Sequence, residues 1–221
     1  MNSSAMDNRA LPLYLLLSMV FVAALLTANM ISGKIISLAG LFVPAGVLAY
    51  SITFAVTDVI CEVWGNQRTQ WVVRAGFLVQ VLVLLLVQAA IYMPAAPFWP
   101  AQEAYAAILG GTGRIIVGSL TAYAVSQTLD VYLYGWLKQR FNSRHLWLRN
   151  NVATFVSQLV DTSLFITIAF YGGEMPLLAL IGGQLAVKWS IALMDTPVVY
   201  LLVYLVRQKL GDAKAGAPAS A

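Results

Sequence analysis

Stretches of about twenty predominantly apolar residues, the length a helix needs to cross bilayer hydrocarbon, recur along this chain at 11–32, 44–64, 70–93, 113–137, 149–171 and 177–206. The breaks between them hold turn formers or charges: Gly40 and Pro44; Gly65 and Asn66; Pro94, Pro97 and Pro100; Lys138 to Arg149; Gly172, Gly173 and Pro176. The first run is too long for a signal-peptide core. It is led by one basic residue, Arg9, and lacks a small-x-small cleavage site, so it reads as a retained helix. The pattern predicts an all-α polytopic membrane protein, a bundle of six transmembrane helices over 11–207. A short segment, 1–10, precedes it, and a tail, 208–221, follows, reading as disordered from its Ala, Gly, Pro and Ser content.

Composition narrows the function classes. Of 221 residues, 60% are hydrophobic and 10% charged, against about a quarter charged in soluble domains. A cytosolic enzyme and a nucleic-acid binder are poor readings of such a chain. The net charge of +4 is better read as topology than as a polyanion site. Alternate loops and both termini collect Arg9, Arg68, Arg74, Lys138, Arg140, Arg144, Arg149, Arg207, Lys209 and Lys214, ten of the 13 basic residues. By the positive-inside rule both termini are expected to be cytoplasmic. The segment from Pro94 to Gly113 carries only Glu103 and suits an external loop, with Trp99 and Tyr105 at the interface. The single Cys61 and single His145 leave no disulfide framework and no His-based zinc site, and no cofactor is expected.

An ionisable side chain at the centre of a spanning helix costs at least about 2.5–3.5 kcal/mol on insertion scales. The predicted spans hold or adjoin Asp58, Glu62, Asp130, Asp161, Asp195, Lys34, Arg114 and Lys188. Asp161 sits about halfway along its run, and Lys188 and Asp195 lie within the last one, so these three are expected to face a bundle interior or an aqueous cavity. Pairs such as Lys188 with Asp161, or Arg114 with an acid, would alternatively fix helix register alone. Asp58, Glu62 and Asp130 lie near predicted cytoplasmic ends, where snorkelling competes with a binding role. Tyr50, Phe54, Asp58 and Glu62 recur every fourth residue, an aromatic platform leading to two carboxylates. Ser126-Gln127-Thr128-Leu129-Asp130 is echoed by Ser157-Gln158-Leu159-Val160-Asp161, each placing Ser and Asp on one helix face with Gln beside them. Pro197 after Asp195-Thr196 is expected to free a carbonyl and kink the sixth helix.

Several phrases resemble the queuosine precursor transporters of the vitamin uptake transporter group. They are Ala28-Asn29 with Lys34; Pro44-Ala45-Gly46 leading to Tyr50, Thr53-Phe54, Thr57-Asp58 and Glu62-Val63-Trp64-Gly65; and Arg114-Ile115, Ser126-Gln127 and Asp130. Trp147-Leu148-Arg149-Asn150-Asn151, Ser157-Gln158, Asp161-Thr162, Lys188 and Asp195-Thr196-Pro197 complete them. The resemblance runs from about Ala28 to Tyr200 and departs at Ser51, where the pattern has proline. It implies a bacterial inner-membrane importer of 7-cyano-7-deazaguanine or 7-aminomethyl-7-deazaguanine, feeding tRNA queuosine synthesis. On that reading Asp58, Glu62, Asp161 or Asp195 reads the donor edge of the base. Asn29, Gln127, Asn151, Gln158 or Lys188 reads its carbonyl, Tyr50 and Phe54 stack on it, Asp130 is a further substrate-binding candidate, and the cationic aminomethyl form would gain from a further acid. The Trp147–Asn151 block is read as an inner gate.

The alternative is a substrate-binding subunit of an ATP-driven energy-coupling-factor importer. Ala24 and Ala28 offer a small-xxx-small docking stripe of a common kind. No Gly-x-x-x-x-Gly-Lys-Ser/Thr motif is present, so any ATPase would be a separate partner. An intramembrane protease is disfavoured, because no Gly-x-Ser or Gly-x-Gly-Asp context occurs. The expected partners are thus a small-molecule base and the lipid bilayer, with no nucleic acid; an ATPase and a homo-oligomer stay open.

Overall fold

A computed structural model describes residues 10–140 and 146–215. Six helices follow the hydrophobic runs: α1 (Ala10–Ile31), α2 (Gly46–Trp64), α3 (Asn66–Tyr92), α4 (Gln102–Arg140), α5 (Leu146–Phe170) and α6 (Leu177–Ala215). Between α1 and α2 lies an antiparallel hairpin, β1 (Ile35–Leu38) and β2 (Leu41–Pro44). Four segments are long and apolar enough to cross a membrane: α1, α2, α3 and the Gln102–Ser126 part of α4. Shorter apolar stretches, Phe155–Phe170 and Leu177–Ile191, occupy α5 and α6. Leu78, Leu85, Leu86, Met19 and Tyr200 point outward from the bundle. Large apolar side chains on the outside are what lipid, rather than water, would solvate.

Two expectations need correcting. The segment from Pro94 to Gly113 is not all loop: α4 begins at Gln102, with Glu103 in its first turn, where an acid offsets the helix dipole. The stretch between the first two runs is not a simple break either. Ile35 to Val43, left in the break between the first two spans with no strand assigned, forms the hairpin, and Leu38 faces Leu41 across a two-residue turn. Ala39 (φ 50°) and Gly40 (φ 82°) both take the left-handed backbone that such a turn needs. At the other end of the bundle α2 and α3 are separated by Gly65 alone. α6 continues past the predicted boundary at 207 and through Pro197 as one helix.

Packing divides the bundle into two groups. Phe21 and Leu25 of α1 meet Val56 and Ile60 of α2 and Val72 of α3. Ile115 of α4 meets Ile166, Ala169 and Phe170 of α5 and Leu180 of α6. The groups are joined by Val59 of α2 against Val203 and Val206 of α6, and by the hairpin, whose Val43 packs with Val47 of α2 and Val187 of α6. Each fully buried valine or isoleucine contributes about 1.5–3 kcal/mol relative to exposure in water, an upper figure for a helix whose alternative is lipid. The hairpin approaches α6 closely: a Cβ at Gly183 would run into the Phe42 backbone. The neighbouring Gly182 has open space around it.

Gly183→Ala should therefore lever the hairpin from α6 and destabilise the protein by about 1–3 kcal/mol, the usual cost of overpacking. Gly182→Ala should be neutral or stabilising, because alanine is the better helix residue by about 1 kcal/mol. Thermal unfolding in detergent, with proteolysis at the hairpin as a second readout, separates the two.

Candidate functional site

At the hairpin end of the bundle, where both helix groups meet, lies a partly open cavity, whose space of about 420 Å³ includes open solvent at its mouth. α1 supplies Ala28, Asn29 and Ser32; β2 supplies Pro44; α2 supplies Gly46, Val47 and Tyr50. Ser119 and Ala122 come from α4, Asp161 and Phe165 from α5, and Gln184 and Lys188 from α6. With a rise of about 1.5 Å per residue, Asp161 lies about 14 Å from the hairpin end of α5 and Lys188 about 17 Å along α6. That is close to the middle of a bilayer of about 30 Å.

Asp161 and Lys188 form the polar centre. Lys188 Nζ is 2.9 Å from Asp161 Oδ2 and donates also to Thr162 Oγ1 at 3.2 Å. Ser126 Oγ stands 3.4 Å from Asp161 Oδ1. The Lys188 side chain is 8% exposed and that of Asp161 23%, the carboxylate being the partner open to the cavity. Lys188 Nζ also lies 5.8 Å from the centre of the Tyr50 ring, within cation–π range. Tyr50 in turn meets Phe54 edge to face, with ring centres 5.1 Å apart. Two amide atoms on the wall lack partners: Asn29 Nδ2 and Gln184 Oε1, both buried. A buried polar atom left unpaired costs about 1–3 kcal/mol, and these two offer one donor and one acceptor to whatever occupies the cavity.

Of the residues singled out from sequence, Asn29, Tyr50, Asp161 and Lys188 line this cavity. Phe54, Asp58, Glu62 and Gln158 do not. Four residues turn a helix by about 400°, so a stripe of period four rotates about 40° at each step. Tyr50 consequently faces the cavity while Asp58 and Glu62 are exposed. Glu62 pairs instead with Arg207 of α6 at 2.6 Å, an exposed bridge far from the cavity. Gln158 Oε1 accepts from Trp189 Nε1 at 3.0 Å. The side chains of Gln127, Asp130, Asn151 and Asp195, and the Trp147–Asn151 block, lie outside the described residues. Among the described residues Arg114 meets no acid: its guanidinium donates to the Ile168 and Tyr171 carbonyls, at 3.2 and 2.7 Å, where α5 ends.

Sequence reasoning missed Gln184, Ser32, Ser119 and Phe165. Gln184 stands one helical turn before Lys188, and Ser32 one turn after Asn29, so the i, i+3 and i, i+4 neighbours of the mid-span polar residues were the available signal. Among the described residues no group of three or more His, Cys, Asp or Glu side chains could hold a metal ion.

Residues 44–202 match the family described as putative vitamin uptake transporter. A relative from Bacillus subtilis (strain 168), named a probable queuosine precursor transporter, is 35% identical over 181 residues, covering 80% of this chain and 79% of its own. A queuosine precursor transporter from Escherichia coli (strain K12) is 26% identical over 155 residues, 70% of this chain and 67% of its own. No solved structure matches the chain significantly.

Breaking a buried ion pair from one side costs about 3–5 kcal/mol because it strands the other charge, whereas replacing both partners by apolar groups is often neutral. Lys188→Met and Asp161→Leu should each destabilise by about 3 kcal/mol, the low end of that range, since Asp161 is partly open. The double variant should return towards the wild-type melting temperature. A double-mutant cycle by thermal unfolding checks this; additive losses would mean the two side chains do not pair.

Proposed function

The chain belongs to the vitamin uptake transporter family, and we propose that it imports queuosine precursors, 7-cyano-7-deazaguanine or 7-aminomethyl-7-deazaguanine, across the bacterial inner membrane. It is a multi-pass membrane transporter and not an enzyme. In this reading all six helices span, both termini are cytoplasmic, and the hairpin end with its cavity faces outward. The relatives named for queuosine precursors, matched over most of the chain, support the substrate class.

The observation that carries the reading is an acid, a base and two unpartnered amide atoms on the wall of one mid-bundle cavity. A deazaguanine presents a carbonyl beside a ring N–H and an exocyclic amine. That edge complements Lys188 next to Asp161, the carbonyl accepting from the ammonium and the N–H groups donating to the carboxylate. Such charge-assisted bonds are roughly twice as strong as neutral ones. Tyr50 and Phe165 give the flat ring aromatic surface, worth about 1–3 kcal/mol per base where stacking has been measured. Asn29 Nδ2 and Gln184 Oε1 then gain partners from the remaining edge. Hydrogen-bonding sites of this kind reject analogues that lack the matching group by large factors, because their own buried atoms would be left unpaired.

Uptake of labelled 7-cyano-7-deazaguanine by cells unable to make it, expressing this chain alone, is the decisive experiment. The wild type should accumulate the base, and Asp161→Asn should reduce uptake at least tenfold with membrane insertion unchanged. Uptake that appears only with a co-expressed ATPase complex would favour the energy-coupling-factor arrangement, and abolition by a proton uncoupler would identify proton coupling.

A further inference from the structure

We propose that this site selects a neutral base over a cationic one, with the charge balance of Asp161 and Lys188 setting the preference; the proposal rests on the deazaguanine reading above. Asp161 and Lys188 are the two charged residues among the described lining, and they are 2.9 Å apart. The wall is therefore charge-balanced before anything binds. A neutral base docked with its carbonyl on Lys188 and its N–H groups on Asp161 leaves that balance intact. A base bearing an alkylammonium group adds a second cation to a mid-bundle cavity whose carboxylate is already committed. An unpaired buried charge is among the costliest things a protein interior can hold.

The other acids of the helices lie beyond the lining residues along the chain. Asp58 follows Tyr50 by eight residues, Asp130 follows Ala122 by eight, and Asp195 follows Lys188 by seven. At about 1.5 Å per residue these positions lie about 10–12 Å along α2, α4 and α6 from the nearest lining residue of the same helix. All three lie towards the end away from the hairpin, as does Glu62, which is held by Arg207. On the hairpin side the charges nearest the lining in the chain are cations: Lys34, two residues from Ser32, and Arg114, five from Ser119. The Tyr50 ring, the natural aromatic seat for an ammonium group, already has Lys188 Nζ over it.

The test is competitive binding to the purified full chain in lipid nanodiscs, using 7-cyano-, 7-hydroxymethyl- and 7-aminomethyl-7-deazaguanine at pH 7. The last two match in size and differ in charge, since a primary alkylamine is protonated at that pH. The cyano and hydroxymethyl bases should bind at least tenfold more tightly than the aminomethyl base. Lys188→Met, which leaves Asp161 unopposed, should shrink or reverse that ratio. Asp161→Asn/Lys188→Gln, which keeps the wall neutral, should preserve it. Aminomethyl binding as tight as hydroxymethyl binding in the wild type overturns the proposal while leaving the deazaguanine reading intact. Binding of none of the three overturns that reading and the proposal with it. The wild-type ligand series stands without the variants, should Lys188→Met fail to fold.

Discussion

Holding opposite charges in the middle of an apolar bundle is the constraint around which this protein is arranged. Lys188 and Asp161 come from helices that neighbour each other, and neither side chain has an inexpensive alternative at that depth. Their pairing requires α5 and α6 to be in register, and it draws in Thr162 as a second acceptor for the ammonium. The carboxylate keeps more exposure than the lysine, so the pair is neutralised towards the protein and presented towards the cavity. In the function proposed above, the interaction that makes the bundle tolerable in lipid also supplies the recognition chemistry. Register and recognition are here one contact seen from two sides, and the ligand-binding experiments separate them where stability measurements do not.

The cavity exists because the two helix groups do not close completely on each other. At the end away from the hairpin, Val59, Val203 and Val206 seal α2 against α6. At the hairpin end the helices are held apart by an inserted pair of strands, with Val43 fully buried between α2 and α6 and Pro44 on the cavity wall. Non-helical backbone is tolerated at such a place only where protein or water satisfies its polar groups. Here the strands satisfy each other, Ala45 N–H donates to the Lys34 carbonyl at 2.8 Å, and Gly183 admits the Phe42 backbone. The hairpin is a wedge whose fit against one glycine defines the roof of the site.

How much of this was legible in the sequence differs element by element. The helices were, because twenty apolar residues in a row report a property of each segment by itself. Asp161 and Lys188 stood out for the same local reason, a charge in the wrong solvent. The period-four stripe from Tyr50 to Glu62 misled, because a helix turns in 3.6 residues and only the first member reaches the cavity. The hairpin was hidden, because a short apolar run does not distinguish a strand from a helix end. Gln184 was overlooked because an amide carries no charge to make its burial conspicuous, although its place one turn from Lys188 marked it.

By itself, then, the sequence determined the solvent this protein is built for, the order of its helices and which side chains are too polar for their positions. Those follow from hydrophobicity and length, which are additive along a segment. Only the tertiary structure decided which acid meets which base across 27 residues of chain. It also turned Gln184 and Asn29 to one wall, sent Glu62 to Arg207 instead, and set the hairpin against Gly183. These are matters of rotation and contact between segments distant in sequence, and hydropathy along one segment carries no information about the face another turns towards it.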